Sequence, residues 1–417
     1  MSAIRWRGVL IAGLSLAAIT TPVAAQELEL LSLEDALSLA GVAEGIPGPA
    51  TNPRLIGPQA ETDAARALIE QARLRPNPEV SFEAENFAGS GAFSGLRATE
   101  YTLSVGQRLE LGGQRGARIR SAEAEARVTA LQGDYSTAEL ALTVRERYVA
   151  ATAAVARLEL ARDIVERNRE LARIARVLVD VGREPPLQAL RAKATLAEAL
   201  AELEAAQATD LAARSALAAL WGDSGPPPEI DSAFTEIEPP ANFLTMEGAL
   251  PLRVAQAQRE AARTEIDRER SLARLDPVVS AGIRRFEDSN ETAFLIGVTV
   301  PLPFANRNQG NIAAAEARMR AAAAREAVVR ADFELALSQT RSRYRAAETR
   351  VDTLSQASLP QAEEALRLVQ IGYNNGRFPL IEVLAAAEAR DGIREALIQA
   401  QNDRALLAAQ LIWLATQ

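Results

Sequence analysis

The amino-acid sequence predicts a mixed fold in which one unit, a β-hairpin followed by a very long helix and a shorter returning helix, is written twice. Three observations carry this. Two distant stretches align without a gap, four short runs alternate apolar and polar residues, and the segments 113–180 and 306–374 keep a helical pattern throughout.

The repeat is the strongest signal. "YTLSVGQRLELGGQRGARIRSAEAEAR" (101–127) lies over "FLIGVTVPLPFANRNQGNIAAAEARMR" (294–320) at an offset of 193, placing Val105 on Val298 and Glu123 on Glu316. "VDVGREPPLQALRA" (179–192) matches "YNNGRFPLIEVLAA" (373–386) at an offset of 194, and "LSLEDAL" (31–37) echoes "LTMEGAL" (244–250). Chance similarity between Ala-rich helices does not keep the register of non-helical punctuation.

The first element has the form of an export leader. Arg5 and Arg7 precede the apolar run "GVLIAGLSLAAI" (8–19), and small residues at Val23 and Ala25 mark a cleavage site, so 1–25 is read as a signal peptide. Removing both arginines takes the formal charge from −9 to −11. An N-terminal segment, 26–57, follows.

The first repeat spans 58–221. It comprises a short helix to about 75, a hairpin over 79–110, a long helix over 113–180, a tip at 181–186 and a return helix over 187–221. A Pro-rich connector, 222–243, leads to the second repeat at 244–417. Its hairpin is read at 278–304, its long helix at 306–374, its tip at 375–379 and its return helix at 380–415.

In 79–87 the residues Val80, Phe82 and Ala84 share one face, while Ser81, Glu83 and Glu85 share the other. Tyr101, Leu103, Val105 and Leu109 continue the apolar face, as do Val279, Ala281 and Ile283, then Phe294, Ile296, Val298, Val300 and Leu302. Each long helix spans roughly 100 Å at 1.5 Å per residue. Their core spacing is that of a coiled coil, with Val144, Tyr148, Ala151, Val155 and Leu158 in one helix. Ile393, Leu397, Ala400, Leu407, Leu411 and Leu414 mark the last.

Composition narrows the chemistry. Cysteine and histidine are both absent, so a zinc or copper site would lack its preferred thiolate and imidazole ligands, and no metal or other cofactor is expected. "GDSG" (222–225) places Ser224 in a protease-like context, but no histidine exists to serve as its base. "GGQRG" (112–116) resembles a phosphate-cradling turn between strand and helix. Its counterpart "FANRNQG" lacks the glycine pair, which a cradle built on exposed backbone amides could not lose. No enzyme is expected, and an acidic exported chain is a poor partner for nucleic acid.

Four strands of this length fit an outer-membrane barrel but cannot close one alone, since about eight is the practical minimum. The chain is therefore expected to pool strands with copies of itself. Three copies give twelve strands and leave a lumen into which Glu83 and Glu85 would face. A soluble sheet packed on helices and a solitary coiled-coil scaffold are the alternatives.

With a leader, a doubled hairpin–helix unit, glycine-containing tips and returning helices, the mature chain resembles the TolC outer-membrane efflux family over essentially its whole length. "NPEVSFEAENF", "LELGGQRGARI" and "VPLPFANRNQG" resemble the outer-membrane component of cobalt–zinc–cadmium resistance systems more closely. The resemblance implies a homotrimer with a twelve-stranded barrel in outer-membrane lipid and a helical α-barrel across the periplasm. It implies a tip docked on a periplasmic adaptor (membrane fusion) protein and an inner-membrane RND pump. The function implied is a passive duct for heavy-metal cations, the alternatives being drugs or type I protein secretion.

The family's tip motif is met by Tyr373, Gly376 and Glu382, so the resemblance implies a ring of Glu382 at the entrance. Ala385 stands where some relatives carry a second acid, and the first copy offers Val179, Gly182 and Gln188 instead. Gly182, Arg183, Gly376 and Arg377 are the candidate adaptor contacts. Gly112-Gly113 and Ala305-Asn306 are the candidate hinges between barrel and helix, with Arg115, Arg118 and Arg120 expected to face water or lipid headgroups.

Overall fold

The structure, a computed structural model, describes residues 30–43, 52–223, 225–234, 237–239 and 248–416. The expected leader, Ser224, Met246 and parts of the connector lie outside them. The helices are α1 (Leu33–Leu39), α2 (Pro53–Arg73), α3 (Gln114–Asp180), α4 (Pro186–Ala218), α5 (Leu250–Leu272), α6 (Gln309–Thr353), α7 (Leu359–Asn374) and α8 (Leu380–Leu414). The strands are β1 (Glu79–Glu85), β2 (Glu100–Arg108), β3 (Val278–Phe286) and β4 (Glu291–Thr299).

The four strands form one antiparallel sheet in the order β1-β2-β3-β4, joining the two hairpins through β2 and β3. Below it α3 is the spine, packing on α2 and α5 near the sheet and on α4 and α8 further down, while α6 packs on α5 and α8. The buried apolar residues form separate clusters strung along the helices. Val128, Leu131, Leu250 and Ala257 lie toward the sheet; Leu171, Ala175, Leu366, Leu380 and Val383 lie at the far end. Alanine dominates these seams because its small side chain lets two helix backbones approach closely. Val144, Tyr148, Ala151 and Leu158 are buried in α3, and Ala400, Leu411 and Leu414 in α8, whereas Val155, Ile393, Leu397 and Leu407 are half-buried.

Between these ends, one buried side chain fastens three helix termini. Asn52 caps α2 by accepting from the Arg54 amide at 3.0 Å. Its Nδ2 donates to the carbonyls of Ala40 and Leu220, at 3.0 and 2.9 Å. Tyr148 adds a bond from its hydroxyl to the Leu31 carbonyl at 3.1 Å.

The second long helix departs from the expected unbroken run over 306–374. It opens only at Gln309 and is interrupted by a π-helical turn, Leu354–Ser358, just ahead of Pro360. The unbroken reading passed over this proline. Its ring cannot donate to the Gln356 carbonyl and would collide with it in an α-helix, and the wider π turn moves that carbonyl aside. The expected hairpin end at 304 is also corrected. β4 stops at Thr299, because Pro301 and Pro303 lack the amides that a ladder needs.

Candidate functional site

The sheet has two chemically distinct faces, fixed by its register. One carries the rows Val80–Val105–Ala281–Ile296 and Phe82–Leu103–Ile283–Phe294. This face is bare: Phe294 is 88% exposed, Ile296 85% and Val80 70%. A water-facing sheet does not leave such a continuous apolar surface uncovered. β1 and β4 each have one neighbour, so the amides and carbonyls along both outer edges lack strand partners. No helix of the described residues is long and apolar enough to cross a membrane.

The opposite face grades from small to charged along the strands. Nearest the helices the rows are Arg108–Val278–Thr299, Glu79–Gly106–Ser280–Gly297 and Ser81–Ser104–Gly282–Leu295. Gly282 is required there, since a Cβ would stand 2.6 Å from the Leu103 carbonyl oxygen. At the far end come Glu83–Thr102–Arg284–Ala293 and Glu85–Glu100–Phe286–Glu291. Arg284 joins Glu100 at 2.9 Å and Glu85 at 3.1 Å, and its Nε donates to the Thr102 hydroxyl at 2.9 Å.

Where sheet meets helix, the two copies solve one problem differently. Gly113 caps α3 in the left-handed region at φ 80°, and Asn308 caps α6 at φ 60°. Offset 193 would pair Gly113 with Asn306, so the second helix opens two residues later than the alignment places it. Asn306 instead accepts from the Asn308 amide at 3.0 Å, a turn that Ala305 leads into. The alignment holds again just beyond. Arg115 Nε donates to the Arg73 carbonyl at 2.7 Å, and its counterpart Asn308 donates to the Glu269 carbonyl at 2.8 Å. Glu123 pairs with Arg73 at 3.7 Å, and Glu316 with Arg270 at 2.8 Å.

These bonds add to one expectation. Arg115 is exposed and Arg118 half-buried, yet both also close the C-terminus of α2. Arg118 donates to the carbonyls of Ala72 and Leu74 and pairs with Glu110 at 2.5 Å. Arg120 is exposed.

At the other end the two turns are alike. Gly182 and Gly376 are left-handed at φ 71° and 69°. The Arg183 amide reaches the Leu178 carbonyl at 2.8 Å, and the Arg377 amide the Gly372 carbonyl at 2.8 Å. With Gly182 on Val179 and Gly376 on Tyr373, both are Schellman turns. Arg183 and Arg377 are exposed beside the glycines. Glu382 is exposed in the first turn of α8, where the helix dipole favours an acid; Gln188 in its place on α4 is half-buried. Tyr373 is half-buried against the cluster of Leu380 and Val383.

Sequence reasoning missed what braces this end. Arg167 forks onto both oxygens of Asp391, and Arg390 adds a bond at 2.8 Å. Arg394–Asp163 and Arg157–Glu395, each at 2.9 Å, extend the ladder between α3 and α8. The spacing of Arg157, Asp163 and Arg167 against that of Asp391, Arg394 and Glu395 carried the signal, read in opposite chain directions. Among the described residues no three metal-ligating side chains gather.

Comparison with known proteins gives one answer. The family description "Outer membrane efflux protein" matches residues 50–223 and 245–415. The chain is 31% identical over 372 residues to the cobalt-zinc-cadmium resistance protein CzcC of Cupriavidus metallidurans, covering 85% of this chain and 83% of that one. It is 34% identical over 292 residues to the nickel-cobalt-cadmium resistance protein NccC of Alcaligenes xylosoxydans xylosoxydans, covering 68% and 65%. Among solved structures it resembles CusC, with a TM-score of 0.76 at 18% identity over 92% of both chains. The outer membrane protein VceC of Vibrio cholerae gives 0.73 at 21% identity, over 92% of this chain and 96% of that one. These likenesses show that the chain shares the fold of CusC and VceC. The chain belongs to the outer membrane efflux protein family.

Proposed function

We propose that the chain is the outer-membrane duct of a tripartite efflux system and exports heavy-metal cations. Three copies assemble, β4 of one pairing with β1 of the next, into a twelve-stranded barrel continued by a helical tunnel. The observation that carries this is the open sheet, with a bare apolar face and two unpaired edges. Four strands cannot satisfy those edges in lipid, and closure by identical copies can. The metal cargo is inferred from the resistance proteins that the chain resembles. Residues 1–25 act as the export leader.

The duct is passive, without catalysis or an energy source of its own. Its partners are a periplasmic adaptor, gripping the turns at Gly182-Arg183 and Gly376-Arg377, and an inner-membrane RND pump. At the entrance, beside Tyr373, three copies of Glu382 form a ring that concentrates cations by its field.

Deleting the gene from its host tests the cargo. Sensitivity to zinc, cobalt, cadmium or nickel, restored by the wild-type chain, supports it. Sensitivity confined to a panel of drugs assigns the duct to drug export instead. Recovery of the chain in the soluble periplasmic fraction overturns the duct altogether.

A further inference from the structure

We propose that the far mouth of the barrel is a second cation filter, in which Glu83 and Glu291 set the selectivity and Arg284 limits it. The inference rests on the duct reading above and adds residues at the end opposite to Glu382.

The charge on the inner face is not spread evenly. The three rows nearest the helices carry one acid, Glu79, and one guanidinium, Arg108, among small and apolar residues, and so no net charge. The two far rows hold four carboxylates, on Glu83, Glu85, Glu100 and Glu291, against the single guanidinium of Arg284. Arg284 commits its fork to Glu85 and Glu100 and its Nε to Thr102, so its charge is spent on those two acids. Glu83, across Thr102 in the same row, is exposed and makes no ion pair among the described residues; the same holds for Glu291.

Lumen size decides whether such charges matter. Twelve strands about 4.8 Å apart and tilted by about 40° give a backbone radius of roughly 12 Å. Side chains reduce the free radius to roughly 7 Å, within the Debye length of about 8 Å at physiological ionic strength. The fields of the unpaired carboxylates therefore overlap on the axis, and an ion leaving the duct crosses a negative belt. The small residues beneath make the near half wide, and Glu79 and Arg108 there balance in charge, which confines the filter to the mouth.

The test is the reversal potential of the purified full chain in planar bilayers across a KCl gradient, repeated with CdCl2. Wild type is expected to prefer cations, Glu83→Gln to lower the cation-to-anion permeability ratio about twofold, and Arg284→Gln to raise it by a similar factor. Glu382→Gln, measured alongside, gives the entrance contribution. The Glu83 side chain is exposed and makes no bond among the described residues, so its variant tests the filter even if Arg284→Gln does not fold. Arg284→Lys, which keeps the charge and loses the fork, is expected to stay near wild type. Pores with one unchanged ratio in Glu83→Gln and Arg284→Gln overturn the filter and leave the duct standing. Absence of pores from wild type overturns both.

Discussion

Gly112 lies directly beneath Arg274. A Cβ at position 112 would stand 2.5 Å from the Arg274 Cβ, and Arg274 Nη1 donates to the Gly112 carbonyl at 2.9 Å. The junction between sheet and helix is thus packed shut on one glycine and conformationally free on the next. Around Gly113 a Cβ would meet nothing within 4 Å, but its backbone is left-handed.

The two glycines should therefore respond differently. Gly112→Ala forces backbone or Arg274 to move, an overpacking cost of about 1–3 kcal/mol. Gly113→Ala incurs the left-handed penalty of about 1–2 kcal/mol. Gly113→Asn should be nearly silent, since Asn308 holds the same conformation in the second copy. Thermal unfolding in detergent checks this, and a Gly113→Asn variant as unstable as Gly112→Ala would sink it.

Far from the sheet, Asp391 answers to two arginines. Its side chain is 9% exposed and that of Arg167 is 18%. Asp391→Ala leaves a largely buried guanidinium without its partner and should cost about 3–5 kcal/mol locally. The pair Arg66–Asp63, with side chains 68% and 74% exposed, sets the contrast: Asp63→Ala should cost under about 1 kcal/mol. Hydrogen exchange over 160–175 and 385–395 reads the first change. Unaltered protection there would show that the ladder does not brace the tip.

The two junctions should titrate in opposite senses. Asn308 Nδ2, at 2.7 Å, holds the Glu269 carboxyl below its ordinary value, with Arg268 assisting against the effect of burial. Its contribution is present above the unfolded pKa and is lost as pH falls through the lower folded one. Burial, then the nearby charge of Glu110, pushes Asp276 up, against Arg108. That contribution is present below the unfolded pKa and is lost as pH rises through the higher folded one. Asn308→Gly, which removes the amide without the left-handed cost of alanine, should thus destabilise more at pH 7 than in acid. Asp276→Asn, still able to accept from Gln114, should gain stability at pH 7 and none in acid. Melting temperatures across the acid range decide, and parallel curves for both variants would refute the assignment.

Much of this architecture was legible because it is periodic. The alternation in 79–87 and 278–283 fixed which face of the sheet is apolar, and the repeated "GR" steps located both turns. What escaped depended on a single atom or on pairs remote in sequence. Pro360 changes a helix through one missing N–H, which composition over a long Ala-rich stretch conceals. Arg115 and Arg118 read as free charge because the carbonyls they close, at Arg73, Ala72 and Leu74, acquire meaning only once α2 and α3 lie side by side. Asp391 and Arg167 are 224 residues apart, so no local pattern joins them. Glu382 was found through family resemblance, since an exposed acid on the first turn of a helix has no pattern of its own to mark it.

The Schellman turns separate backbone from surface at the proposed docking site. Gly376→Ala places a Cβ on a left-handed residue with open space around it, so the cost is conformational, about 1–2 kcal/mol, and involves no collision. Gly376→Asn should recover most of that loss, because asparagine tolerates this region. Arg377→Ala leaves the turn intact, since Arg377 contributes only its amide to it, and removes an exposed cation. If the adaptor grips the side chain, Arg377→Ala should weaken adaptor capture about tenfold while melting as wild type does. If it grips the shape of the turn, Gly376→Ala should weaken capture and Arg377→Ala should not. Pull-down with the periplasmic adaptor of the same efflux system, read against melting temperature, distinguishes them. Capture unchanged in both variants and in the matching Gly182 and Arg183 substitutions would remove these turns from the interface.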